Sequence, residues 1–142
     1  MYRYPVKLTH DDNGTILASF PDVPEAITFG DTRQDALKRA GQALEAALKI
    51  YIDDQKDIPV PRASRRHSPF VVLPALSAAK VALYQAMRAA GLSSVNLAKQ
   101  LNCSSSQVSR LLDLNQTSPV NRIEDALAAL GKRIDLVIRD AA

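Results

Sequence analysis

Apolar and polar positions alternate over residues 2–9, with Tyr2, Tyr4, Val6 and Leu8 on one face and Arg3, Lys7 and Thr9 on the other. A period of two predicts a half-buried strand. Asp12-Asn13-Gly14 follows, a strong hairpin signal, because a type I′ turn needs two positive φ angles. Ile16, Ala18 and Phe20 resume the alternation as a second strand. Pro21-Asp22-Val23-Pro24 must then break the ladder, since neither proline has an N–H to donate. A third strand, Ala26 to Phe29, ends at Gly30. The period then changes. Thr32 and Asp35 have the form of a capping box, and Leu37, Ala40, Leu44, Leu48 and Tyr51 recur behind them at helical spacing. Ala36, Gly41, Ala43 and Ala47 keep this helix slim, so it is expected to lie flat on the three-stranded sheet. It ends in Asp53-Asp54, at the negative end of the helix dipole. Either that terminus is simply solvated, or it offers an acidic contact to a basic partner.

Pro59 to Pro69 holds three prolines with Arg62, Arg65, Arg66 and His67, and reads as a loop or an interdomain linker. Phe70-Val71-Val72-Leu73 reads as a fourth strand returning to the sheet, which puts a domain boundary near Pro74. Helices over 76–89, 94–101, 105–113 and 120–130 follow. Within them, Leu97 to Leu112 has the layout of a helix-turn-helix, whose second helix enters the DNA major groove. Leu97, Leu101, Val108 and Leu111 supply the contacts between two crossed helices, and Ala98 sits where they approach most closely. Asn102 falls at the turn, where a residue tolerant of positive φ is wanted. Past Gly131, a C′ residue, Ile134, Leu136 and Ile138 alternate with Asp135 and Arg139 as a final strand. A lone strand in a helical domain has no sheet to join, so pairing with the same strand of a second subunit is expected. The chain is therefore read as α+β in two domains, 1–74 and 75–142.

Apolar content of 46% with 23% charged residues places the chain among globular proteins and against disorder. No apolar run reaches the roughly 18–20 residues of a membrane span. The opening Met-Tyr-Arg-Tyr-Pro lacks the apolar core of a signal peptide, and the single Cys103 cannot form an internal disulfide. A cytoplasmic location is expected. The net charge of +3 hides a division. Residues 1–60 carry 7 Lys+Arg against 10 Asp+Glu, and residues 61–142 carry 11 against 5. A basic C-terminal half suits the polyanion that the helix-turn-helix implies.

The N-terminal order of strand, hairpin, strand and long helix resembles the HicB antitoxin family. The residues that carry the resemblance are Tyr4-Pro5-Val6, the Asn13-Gly14 turn, Phe20-Pro21-Asp22-Val23-Pro24, and Gly30-Asp31-Thr32 running into Asp35-Ala36-Leu37. The C-terminal half is similar to the phage-repressor type of helix-turn-helix that many of these antitoxins carry. The resemblance implies a partial ribonuclease H-like N-terminal domain without catalytic role, which binds and blocks HicA, a small basic messenger-RNA interferase. It also implies a C-terminal domain that binds operator DNA and represses its own operon. One departure is Pro24-Glu25-Ala26, where many relatives have Pro-Gly-Cys; a positive φ there would strain Glu25.

On the second helix of the motif, Ser104 is a candidate N-cap, and Ser105, Ser106, Gln107, Ser109 and Arg110 are the polar positions. Serine discriminates poorly among bases, whereas Gln107 has the groups to pair with adenine and Arg110 with guanine or phosphate. Further phosphate contacts are expected from Ser94 and Lys99 on the preceding helix, or from Asn115 and Arg122 beyond it. A helix with one cation grips DNA weakly, so two linked copies in adjacent half-sites are expected, joined through Ile134, Leu136 and Ile138. The acidic candidates for the toxin contact are Asp53, Asp54 and Asp57. Nuclease chemistry of the two-metal type needs carboxylates converging from strands. The first strand has none, Asp11 and Asp12 belong to a turn, and Asp22 lies between strand ends as a solvated or turn-forming group. His10 and His67 are isolated, and Cys103 reads as packed in the turn. No enzyme activity, cofactor or metal is expected. Two rivals remain open at this stage: a helix-turn-helix regulator whose N-terminal domain senses a small ligand, and a nuclease.

Overall fold

The computed structural model describes residues 2–63 and 66–141. Arg65 of the Pro/Arg-rich stretch and Ala142 at the end of the tail lie outside the described residues. The chain divides into two compact units, Met1–Ala78 and Ala79–Ala142.

The alternation over residues 2–9 does not give one strand. It gives β1 (Arg3–Pro5) and β2 (Lys7–His10), which pair with different partners. β1 runs antiparallel to β5 (Phe70–Val72), and β2 to β3 (Ile16–Phe20). The sheet order is β2-β3-β4, with β4 spanning Val23–Gly30. The fourth strand of the sequence therefore pairs with β1 in a separate two-stranded ribbon. Val6 is the pivot, and its N–H donates to the Pro69 carbonyl oxygen at 3.1 Å.

The hairpin between β2 and β3 is not of the primed two-residue kind. Gly14 N–H donates to Asp11 O at 3.1 Å, and only Gly14, at φ 85°, is left-handed in that loop. That is a type I turn followed by one left-handed residue, the three-residue alternative. Pro24 does not break the third strand as expected. The register slips between Ser19 and Phe20, and the irregularity admits a proline on what is an edge strand. Glu25 sits in β4 without positive φ, so no strain arises, and its two carboxylate oxygens accept from the Tyr51 hydroxyl at 2.9 Å.

α1 (Arg33–Asp53) begins where expected, with Thr32 as N-cap accepting from the Asp35 N–H at 3.0 Å. The returning bond from Asp35 goes to the Asp31 N–H at 3.1 Å, one residue before the cap. Ala36, Ala40, Leu44, Ala47, Leu48 and Ile52 form its buried face against Ile16, Ala18, Phe20, Val23 and Ala26. Leu37 and Tyr51 stand half-buried at the edges of that face. Three alanines on the helix and two on the sheet let the two approach closely. Gly30 takes this furthest, since a Cβ there would lie 2.3 Å from the Ala36 nitrogen.

The Pro/Arg-rich stretch is tied to the first unit at three points on its described residues. Pro59 O accepts from the buried Tyr4 hydroxyl at 2.8 Å, Arg62 Nε pairs with Asp22 at 2.6 Å, and Pro69 O holds Val6. Asp22 is thus not solvated. Its side chain is 4% exposed and also accepts from the Arg62 N–H at 3.1 Å.

α2 (Ala75–Ala90), α3 (Ser94–Leu101), α4 (Ser105–Leu112) and α5 (Val120–Ala129) follow, within a residue or two of expectation. The boundary between the units falls inside α2. Val81, Leu83, Tyr84, Met87, Leu97, Val108, Leu111, Ile123 and Leu127 are the large buried apolar side chains of the second unit. No helix among the described residues is long and apolar enough to cross a membrane. The last strand of the sequence reading is not formed in the single chain: residues 132–141 carry no helix or ladder.

Candidate nucleic-acid interface

Two caps and one left-handed residue shape the α3–α4 corner. Ser93 caps α3, accepting from the Asn96 N–H at 3.2 Å. Asn102 ends the helix at φ 53°, ψ 45°, which lets the Cys103 N–H reach back to Ala98 O at 3.0 Å. This closure satisfies carbonyls that the helix end leaves orphaned. Ser104 then caps α4 in a full capping box: its hydroxyl accepts from the Gln107 N–H at 3.2 Å, and Gln107 Oε1 accepts from the Ser104 N–H at 3.0 Å. Leu97 and Ala98 of α3 meet Val108 and Leu111 of α4 as buried residues.

With Val108 and Leu111 turned inward, Ser105, Ser106, Gln107, Ser109 and Arg110 are all exposed. They are not equally available. The amide oxygen of Gln107 belongs to the cap, so bidentate pairing with a base would have to break it. Ser109 donates its hydroxyl to Ser105 O at 3.1 Å, and the hydroxyls of Ser104 and Ser106 lie 3.0 Å apart. Arg110 carries the one charge of this ridge. Lys99 is exposed on α3 and Ser94 half-exposed at its start. Asn115 and Arg122 are exposed beyond α4. Arg110 and Arg122 border a common cleft of ≈ 350 Å³, with Gln107, Gln116 and Thr117 on its walls.

Lys80, which no motif singled out, is 1% exposed, and its ammonium reaches the end of α4. It donates to Arg110 O at 2.8 Å, Asp113 O at 3.0 Å and Ser118 Oγ at 2.8 Å. Burial pushes its pKa below the ordinary lysine value, and the nearby Asp113 carboxylate pulls in the opposite direction. The signal was present in the sequence: Lys80 occupies the stripe of Leu83, Tyr84 and Met87, where helical spacing asks for an apolar side chain.

Asp53, Asp54 and Asp57 are exposed around the C-terminus of α1, where Lys49 pairs with Asp53 at 2.6 Å. That i,i+4 pair offsets part of the unfavourable dipole contact. In the tail, Ile134 is half-buried, while Leu136, Val137 and Ile138 are 77%, 67% and 82% exposed. Among the described residues no group of three or more His, Cys, Asp or Glu side chains is placed to hold a metal. Cys103 is half-buried in the turn.

Residues 3–82 match a family described as HicB_like antitoxin of bacterial toxin-antitoxin system. "Antitoxin HicB 2" of Photorhabdus laumondii is 42% identical over 135 residues, covering 95% of this chain and 95% of its own. "Antitoxin HicB" of Pseudomonas fluorescens is 39% identical over 142 residues, covering 99% and 97%. Among solved structures, the N-terminal domain of Burkholderia pseudomallei antitoxin HicB overlaps 51% of this chain and 95% of its own, with 17% identity and a TM-score of 0.42.

Proposed function

The chain belongs to the HicB-like antitoxin family of bacterial toxin–antitoxin systems, and from that premise we propose that it neutralises a HicA-type messenger-RNA interferase and represses its own operon. Its role is that of an antitoxin, not of a catalyst. In this reading the first unit, partly ribonuclease H-like, covers the toxin, with Asp53, Asp54 and Asp57 as candidate contacts for a basic protein. The second unit reads operator duplex through α4, with Ser105, Ser106 and Arg110 toward the bases and Lys99, Ser94 and Arg122 toward phosphates. Two copies joined through the tail residues Ile134, Leu136 and Ile138 supply the paired half-sites. The complex works in the cytoplasm, where its messenger and operator targets are.

The observation that carries the duplex reading is the separation of faces on α4. Val108 and Leu111 are buried, whereas the Ser/Arg ridge is exposed beside a cleft bordered by two arginines. Such a helix can be offered to a groove without unfolding its own domain. The toxin reading is tested by co-expressing this chain with the small open reading frame adjacent to its gene. Relief of growth arrest and a co-purifying complex are expected; neither occurring would reject it.

A further inference from the structure

A lysine on the apolar stripe of a helix can stay charged only if each ammonium proton finds an acceptor. For Lys80 all three do, and the acceptors come from two other elements. Arg110 O lies in the last turn of α4, Asp113 O belongs to its C-cap, and Ser118 Oγ stands just ahead of α5. Arg110 O also accepts from the Asp113 N–H at 3.2 Å, and carbonyls in a helix's last turn form the negative end of its dipole, which a cation complements. One side chain of α2 therefore holds the end of α4 and the approach to α5 together. The residue it grips is itself in the ridge: Arg110 gives its carbonyl oxygen to Lys80 below, and its guanidinium is exposed above.

We propose that Lys80 is the positioning residue of the DNA-reading surface, setting how far along and how deep α4 lies and hence where Ser105, Ser106 and Arg110 meet the bases. The proposal rests on the duplex reading given above and deepens it. Hydrogen bonds to base edges hold over only a few tenths of an ångström, so a small shift of α4 removes discrimination between sequences. Non-specific attraction behaves differently, because it follows the count of surface cations. At 1% exposure Lys80 cannot touch phosphate, while Lys99, Arg110 and Arg122 are exposed and keep their charges when it is replaced. Loss of Lys80 should thus strip specificity and leave the electrostatic background.

The test uses the full chain and the duplex that the wild-type protein enriches most from a randomised pool, with a shuffled duplex of equal length as reference. Affinities for both are measured at one salt concentration for wild type, Lys80→Met and Ser118→Ala, each shown to be folded by circular dichroism. Lys80→Met keeps the length of the side chain but leaves two carbonyls and a hydroxyl without their ammonium donor, so it is expected to be less stable than the wild type and its folded fraction is measured first. Its preference for the selected duplex should fall about tenfold or more, with shuffled-duplex affinity changed less than about twofold. Ser118→Ala keeps the lysine but removes one of its acceptors, together with the long 3.5 Å bond from the Ser118 hydroxyl to Arg110 O, and should fall between. An undiminished preference in folded Lys80→Met overturns the proposal, as does a parallel fall on both duplexes, which is what loss of folded protein produces. If Lys80→Met does not fold, Ser118→Ala decides, and an unchanged preference there overturns it. Failure of the wild type to enrich any duplex rejects the DNA reading itself, and with it the role of Lys80, before any substitution is compared.

Discussion

Tyr4 is fully buried and donates its hydroxyl to Pro59 O at 2.8 Å. Burial raises its pKa from 10.0 to about 12, with smaller contributions from Tyr2 and Asp22. A phenol that is neutral in the fold but ionises earlier when unfolded makes stability fall with pH between those two values. The contribution is fully present below pH 10.0 and is lost as pH rises through about 12. Denaturant midpoints across that window should drop for the wild type and drop less for Tyr4→Phe. Identical curves would show that the hydroxyl is not buried as described. Other residues act through their backbone partners in the same way. Gln107 has the groups to pair with adenine, and its amide oxygen is engaged in the cap of α4. Asp22 stands in a turn, one of its two expected settings, but its side chain is covered by Arg62 rather than solvated. The identity of each residue was legible in both cases. What it would meet, at |i−j| of 40 for the Arg62 N–H and Asp22, was not.

Elements follow local chemistry wherever local chemistry suffices. Thr32, Ser93 and Ser104 start their helices because each has an oxygen placed to accept an N–H that the first turn leaves orphaned. Asn102 ends α3 because it tolerates the left-handed region. Strands are less local. The single alternation of residues 2–9 became β1 and β2 because two different strands, β5 and β3, took its two halves. The approach of β4 to α1 has its own test in Gly30→Ala. The added methyl would sit 2.3 Å from the Ala36 backbone nitrogen, an atom that cannot swing away as a side-chain tip does. Overpacking of this kind costs about 1–3 kcal/mol, and the upper part of that range is expected. A denaturant midpoint equal to that of the wild type would mean that helix and strand part more easily than the contact implies.

For the whole molecule, the placement of the boundary changes the account of charge. With the division at Ala78/Ala79, the first unit holds 10 Lys+Arg against 10 Asp+Glu and the second 8 against 5. The split at residue 60 overstated the contrast because Arg62, Arg65 and Arg66 fall in the first unit. The basic excess of the second unit persists, but it is small. In the proposed repressor role, joining copies would count for more than the charge of one. Removing Ile134 to Ala142 should convert the protein to a form with dissociated DNA-binding units and lower its operator affinity by at least about tenfold, while toxin binding survives. Unchanged affinity in a mobility-shift titration would exclude the tail as a seam. The sequence by itself determined the α+β order, the helices, the caps at Thr32 and Ser104 and the turn at Asn102, because periodicity and capping are decided within a few residues; the family was legible in its resemblance through longer motifs such as Phe20-Pro21-Asp22-Val23-Pro24 and Gly30-Asp31-Thr32. Only the tertiary structure decided which strand each half of residues 2–10 joins, that Asp22 is buried under Arg62, and that Lys80 holds the end of α4. Those outcomes depend on which distant backbone atoms a side chain meets once the chain is closed, and no local pattern encodes that.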